Sequence, residues 1–311
     1  LAPSAADCLL ENSGMSGYRY ERDADGIVTV TLDMVGQSVN TMNDDFPPLL
    51  ADFVARLQAE AGLTGVILTS AKSTFFAGGD IKAMVAATEE TLPKWRDFLA
   101  SMRCSLRALE SLKVPVVAAI NGAALGGGLE IALCCHHRIA IDSEKTLIGL
   151  PEATLGLLPG AGGIVRSIRL LGIEKALPLI LKGSVAPAAK ALERGQIDEL
   201  ASDADDLLAK ARAWIRANPE FVQPWNRPDY KIPGDAAAVK AFVDALPAQL
   251  AEQFAGNVPP AQSAILRVAT GSLATDVDGA LEIESREFLG LLLTPEAKAA
   301  MQAFIDKSKK K

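Results

Sequence analysis

Val114-Pro115-Val116-Val117-Ala118-Ala119-Ile120 runs directly into Asn121-Gly122-Ala123-Ala124-Leu125-Gly126-Gly127-Gly128, and that into Leu129-Glu130-Ile131-Ala132-Leu133-Cys134-Cys135. The first seven residues are an almost continuous apolar run with proline near its start, the pattern of a strand covered on both faces. Three consecutive glycines mark backbone that must approach something closely or take a geometry that a side chain forbids. The segment after them reads as a buried helix. A strand, a glycine-rich break and a helix in that order belong to an α/β fold.

Working outward toward the N-terminus, Gly26 to Leu32 alternates with period two and reads as a strand. Phe46 to Ala61 places Leu49, Leu50, Phe53, Val54 and Leu57 at helical spacing, and Gly65 to Thr69 is a second strand. This strand, helix, strand order is the rhythm of a crossover connection. The loop Ser70 to Gly79 then leads to a helix with Ile81, Met84 and Val85, and an amphipathic helix covers Leu92 to Leu112. Toward the C-terminus, Arg138 to Ile141 and Thr146 to Gly149 are short strands, followed by Pro151-Glu152 and by Leu157 to Gly163. Helices are expected over 173–181, 187–194, 205–216, 236–254, 260–271, 275–293 and 295–307, and strands are expected to finish near residue 150. The resulting organisation is a leader or disordered extension over 1–16, an α/β core over 17–215, a Pro- and Trp-containing excursion over 216–235, a helical region over 236–306 and a basic tail over 307–311. No internal repeat is visible.

A chain of 311 residues with 49% apolar composition has enough material for a large core and is not a disordered polymer. Its formal net charge of −7, with no basic stripe, argues against a nucleic-acid footprint and requires any polyanionic ligand to meet locally placed cations or helix N-termini. Cys8, Cys104, Cys134 and Cys135 match no zinc or disulfide framework and read as reduced core thiols. No apolar run approaches the length of a membrane span.

Chemistry falls to carboxylates and backbone donors. The two histidines, His136 and His137, are adjacent and have no third ligand at metal spacing, and no GxSxG elbow occurs. Glu130 lies in the first turn of an apolar helix, where a lone charge is costly unless it is paired, protonated or hydrogen-bonded. Its plain alternative is a helix-start glutamate that satisfies the helix dipole. Glu152 sits in an equally apolar stretch, and its plain alternative is a solvent-exposed loop carboxylate. The first amides of the helix after Gly126 have no intrahelical partner and favour a developing negative charge. Phe75 to Asp80 offers a second set of amides. Gly160-Ala161-Gly162-Gly163 looks like a dinucleotide fingerprint, but it follows Pro159 rather than a strand and has Val165 where the third glycine belongs.

The strings AAINGAALGGGLEIALCCHHRIA (118–140), IGLPEATLGLLPGAGG (148–163) and TSAKSTFFAGGDI (69–81), with Glu284, Phe288 and Thr294-Pro295-Glu296 further on, closely resemble the crotonase, or enoyl-CoA hydratase/isomerase, superfamily. The likeness spans residues 25 to 306. Within the superfamily, TLDMVGQSVNTMN (31–43) and VQPWNRPDYKIPG (222–234) look most like the N-terminal hydratase region of the multifunctional fatty-acid oxidation proteins. In those a dehydrogenase region with its own NAD fingerprint follows, so the chain reads as a stand-alone relative or a truncated piece.

The resemblance implies a crotonase-like spiral of ββα units followed by a helical C-terminal region. It places the catalytic glutamates on Glu130 and Glu152 and the oxyanion-hole amides on Gly79 and Gly127. Lys72, Lys82, Ala77, Asp80 and Ile81 are the coenzyme A-binding candidates, with no metal. The implied reaction is reversible hydration of a trans-2-enoyl-CoA to a 3-hydroxyacyl-CoA in β-oxidation. Two further readings stay open: a Δ3-Δ2-enoyl-CoA isomerase, and a non-catalytic acyl-CoA-binding or assembly module. No cofactor is expected beyond coenzyme A as part of the substrate, and no NAD site. Expected partners are the enoyl-CoA thioester and either a homo-oligomer, trimer or hexamer, or a dehydrogenase or thiolase of the same pathway, in a bacterial cytoplasm or a mitochondrial matrix. One departure concerns His136, since the family often carries Asp at the first of the two histidine positions.

Overall fold

A computed structural model describes residues 17–309, so the expectations for 1–16 and for the last two residues of the basic tail lie outside the described residues. The strands are β1 (Tyr18–Arg22), β2 (Ile27–Leu32), β3 (Gly65–Ser70), β4 (Val116–Ile120), β5 (Ala124–Leu125), β6 (His137–Ile141), β7 (Leu147–Gly149), β8 (Val185–Pro187) and β9 (Glu199–Ala201). The helices are α1 (Phe46–Ala59), α2 (Ile81–Val85), α3 (Leu92–Glu110), α4 (Gly127–Cys134), α5 (Gly163–Leu171), α6 (Ile173–Leu181), α7 (Ala188–Glu193), α8 (Ala204–Ala217), α9 (Ala236–Gln253), α10 (Pro260–Ala274), α11 (Val277–Leu292) and α12 (Pro295–Ser308). The chain divides into two compact units interleaved along the sequence.

The first unit contains the described residues through Gly79 together with Asp97–Gly149 and Val185–Pro228. Its larger sheet has the order β1-β2-β3-β4-β6-β9, with β1 antiparallel to β2 and every later neighbour parallel. Parallel pairing requires both faces to be covered, which explains the fully buried β3 and β4. On one face Ile27, Ile67, Val117, Ala119, Ile139 and Ala201 pack against Leu207, Ala211 and Ile215 of α8. Those three lie four residues apart, so they form one stripe on the helix. Helix α1 buries Phe46, Leu49, Leu50, Phe53, Val54 and Leu57, each contributing roughly 1.5–3 kcal/mol of hydrophobic stabilisation. A smaller sheet, β5-β7-β8, joins the residues just before the glycine run to Leu147–Gly149.

The second unit contains Asp80–Arg96, Leu150–Ser184 and the described part of Asp229–Lys311. It is helical. Ile164, Val165 and Ile168 of α5, Ile265 and Val268 of α10, and Leu281, Phe288 and Leu292 of α11 are buried. Arg169 ties two of these helices together, donating to Ser272 Oγ at 2.6 Å and to the Thr275 carbonyl at 3.1 Å at the end of α10. A cation there also meets the negative end of the helix dipole.

One expectation is corrected. Strands do not finish near residue 150, because β8 and β9 follow. Each is three residues long and exists through pairing with β7 and β6, so no local periodicity announces it. Of the cysteines expected to be reduced, Cys134 and Cys135 are free and buried, and Cys8 lies outside the described residues. The excursion around Trp225 does more than link elements: the buried indole donates to Glu110 Oε1 at 2.7 Å, and Gln223 donates to the Cys135 carbonyl at 3.1 Å.

Candidate active site

The glycine break after β4 is built by close approach. Gly126, with φ of 52°, is the N-cap of α4 and donates to the Gly149 carbonyl at 2.9 Å. Beside it runs the loop after β3. Phe76 bridges to Ala124, and Leu125 N–H reaches the Phe76 carbonyl at 3.2 Å. The two segments lie so close that a Cβ on Gly78 would sit 4.0 Å from the Gly127 nitrogen. Neither the Gly79 nor the Gly127 N–H has a hydrogen-bond partner among the described residues. For Gly127 this follows from its place in the first turn of α4. Neighbouring amide donors at a helix N-terminus suit an oxygen on which negative charge develops, and one such donor can be worth about 3 kcal/mol in a transition state.

Glu130 sits one turn on from Gly127 in α4 and is only 3% exposed, so it is a buried carboxylate rather than a surface cap. Three-residue spacing puts both on the same side of the helix. Ala77 is held by its N–H to the Asn40 carbonyl at 2.9 Å. Lys72 is largely committed elsewhere, since its ammonium lies 2.8 Å from Asp33 Oδ1.

The remaining candidates belong to the second unit. Glu152 opens a 3-10 turn, Glu152–Leu155, and its Oε2 is buried. The turn closes on Gly156 in the left-handed region, φ 70°, where an added Cβ would sit 2.8 Å from Ala297 Cα of α12. Asp80 caps α2, accepting from Lys82 N–H at 3.0 Å and Ala83 N–H at 3.1 Å, with Ile81 as the first helical residue. The Lys82 side chain belongs to an exposed residue.

The Gly160–Gly163 stretch precedes a helix, but its anion comes from within the protein. The fully buried Glu284 of α11 accepts from the N–H groups of Gly162, Ile164 (3.0 Å) and Val165 (3.1 Å). An internal carboxylate therefore occupies the place a pyrophosphate takes in a dinucleotide site. Among the described residues, no group of His, Cys, Asp and Glu could hold a metal ion.

Two organising residues escaped the sequence reading. Asn40, fully buried, donates from Nδ2 to Ser70 Oγ at 2.9 Å and to the Leu32 carbonyl at 3.3 Å, and its Oδ1 accepts from Met34 N–H at 3.0 Å. Asn121 donates to the Ser70 and Lys72 carbonyls at 3.1 and 2.8 Å. Together they shape the loop that ends at Gly79. For Asn121 the available signal was an asparagine just after an apolar strand, where a polar side chain must find partners, whereas Asn40 lies in a polar, glycine-containing segment that gives no such signal.

His136 is built in immediately before β6, against the start of β4. Its Nδ1 accepts from Val116 N–H at 3.1 Å while Nε2 faces the Glu110 carbonyl at 3.1 Å, which requires a neutral ring protonated on Nε2. Burial holds its pKa below the usual histidine value.

Residues 22–221 match the family profile described as Enoyl-CoA hydratase/isomerase. The fatty acid oxidation complex subunit alpha of Shewanella loihica (strain ATCC BAA-1088 / PV-4) is 36% identical over 289 residues, covering 92% of this chain, and that of Idiomarina loihiensis is 32% identical over 288. The chain spans about 40% of the length of these relatives. Among solved structures, an enoyl-CoA hydratase from Bacillus anthracis is 28% identical with a TM-score of 0.57, covering 94% of this chain and 97% of its own. An enoyl-CoA hydratase from Bacillus halodurans, 21% identical with a TM-score of 0.67 over 93% of this chain and all of its own, shares the fold. With the profile covering well over half of the residues, this chain belongs to the enoyl-CoA hydratase/isomerase family.

Proposed function

We propose that the chain catalyses the reversible addition of water to a trans-2-enoyl-CoA, giving a 3-hydroxyacyl-CoA, as a step of fatty-acid β-oxidation. The observation that carries this reading is the pair of partner-free amides at Gly79 and Gly127 with the buried Glu130 one turn away. Donors fixed before the reaction stabilise charge without reorganising during it. The thioester oxygen accepts from both, drawing electron density from C3. Water adds its hydroxyl to C3 and a proton reaches C2, so the thioester passes through an enolate-like state. Glu152 is the principal proton-transfer group and Glu130 its partner in orienting the water. In the isomerase reaction of the same family, these carboxylates would instead shift a proton between C4 and C2.

The substrate runs along Ala77, Asp80 and Ile81, with its phosphates assigned to Lys82, since Lys72 is paired with Asp33. No further cofactor is required. The bacterial relatives suggest a cytoplasmic setting and association with other enzymes of fatty-acid oxidation. Among the described residues, no helix is long and apolar enough to cross a membrane.

The decisive experiment follows loss of the enoyl-thioester absorbance of crotonyl-CoA and longer substrates. Glu152→Gln should lower turnover by about 10²–10⁴-fold while thioester binding stays near normal. Wild-type turnover in that variant would remove Glu152 from the mechanism. Binding to the unaltered chain should weaken as salt rises, and K82A should reduce that dependence. Thioester binding without hydration, isomerisation or exchange of α protons would leave only a binding module.

A further inference from the structure

Helix α2 is five residues long and none of them is fully buried, Ile81, Met84 and Val85 being half-buried, so its apolar side fixes its direction only weakly. A helix this short is not stable by itself. Its start is held by the Asp80 cap. Its end is held from far along the chain: Lys298 Nζ lies 2.6 Å from the Val85 carbonyl, 2.6 Å from the Ala87 carbonyl and 3.1 Å from the Met84 carbonyl. An ammonium has three donors, and here all three meet acceptors at or just beyond the C-terminal end of a helix, where carbonyls lack intrahelical partners. Charge-assisted bonds of this kind are stronger than neutral ones.

Lys298 lies in the first turn of α12, next to Ala297, the residue that packs against Gly156 at the close of the Glu152 turn. The same turn of α12 therefore supports both the turn bearing Glu152 and the helix bearing Asp80, Ile81 and Lys82. We propose that Lys298 is a positioning residue that clamps α2 and so sets the substrate-binding segment, an assignment that rests on the hydratase reading for its link to the thioester. Its loss frees the end of α2 without altering a reacting group. It therefore acts on substrate binding more than on the chemical step.

Two measurements test this together. Peptide-resolved hydrogen exchange over residues 81–87 needs no substrate, and in Lys298→Met it should accelerate about tenfold with the rest of the chain unchanged. In the hydration assay, K298M should raise KM for crotonyl-CoA about tenfold with kcat within about twofold, and Lys298→Arg should restore part of the loss. Unchanged exchange over 81–87 overturns the clamp. Faster exchange with unaltered KM, or a fall in kcat alone, overturns the link to substrate binding. A lowered unfolding midpoint with unaltered KM would mark a merely structural lysine and overturn it as well. Should K298M not fold, Lys298→Gln is read in the same way. If the unaltered chain hydrates no enoyl-CoA, the hydratase reading fails, and exchange over 81–87 with and without crotonyl-CoA still decides whether the clamp holds a ligand-binding helix.

Discussion

Adjacent glycines at the start of α4 meet different neighbours. A Cβ on Gly127 would press on the Met42 side chain, 2.5 Å from Sδ and 2.8 Å from Cε, whereas one on Gly128 would meet the Phe76 carbonyl oxygen at 2.3 Å. A thioether can swing aside and a backbone oxygen cannot. Gly127→Ala is therefore expected to fold with a modest loss of stability but to lose about 10²–10³-fold in kcat as the donor shifts. Gly128→Ala should cost about 1–3 kcal/mol in denaturant unfolding. Equal effects of the two changes on both readouts would contradict this division of roles.

Helix α5 starts on glycines, and its orphan amides are satisfied by one buried carboxylate from α11 rather than by a ligand. Glu284→Ala would leave those N–H groups buried without an acceptor, and a loss of about 3–5 kcal/mol is expected in urea unfolding. Glu284→Gln keeps an acceptor oxygen and should lose less. A Glu284→Ala protein as stable as the parent would show that water or backbone can replace the carboxylate. The sequence reading recognised that these glycines were not a dinucleotide fingerprint from Pro159 and Val165, but it could not name the occupant. Gly162 and Glu284 are 122 positions apart, and only folding joins them.

For the molecule as a whole, buried histidines set a pH dependence. His136 and His137 both have pKa values held below 6.5, chiefly by burial. Where only the unfolded chain takes up these protons, acid favours unfolding. The stability they contribute is complete above about pH 6.5 and is lost as pH falls toward the depressed folded-state values. The denaturant midpoint should thus be lower at about pH 5 than at about pH 7.5, and His136→Gln should flatten that fall, leaving the part due to His137. An unchanged slope in that variant would dissociate His136 from the effect. Arg138, whose charge also lowers both values, lies with its Nη2 2.6 Å from Asp198 Oδ2.

The sequence alone determined the α/β character, nearly every long helix, the strands from residue 27 to 149 apart from the two-residue β5, and the family, because period, glycine punctuation and motif order are local properties. Glu130, Glu152, Gly79 and Gly127 could be singled out there as candidates, the glutamates because a carboxylate in an apolar helix start or loop departs from what those elements require. Only the tertiary structure decided the short strands β8 and β9, whose stabilisation comes from partner strands. It also decided the assignment of residues 80–96 and 150–184 to one unit with the C-terminal helices, the binding of Lys72 to Asp33 and the clamp of Lys298 on α2. Each of these depends on contacts between residues distant in the chain, whose energies no local pattern encodes.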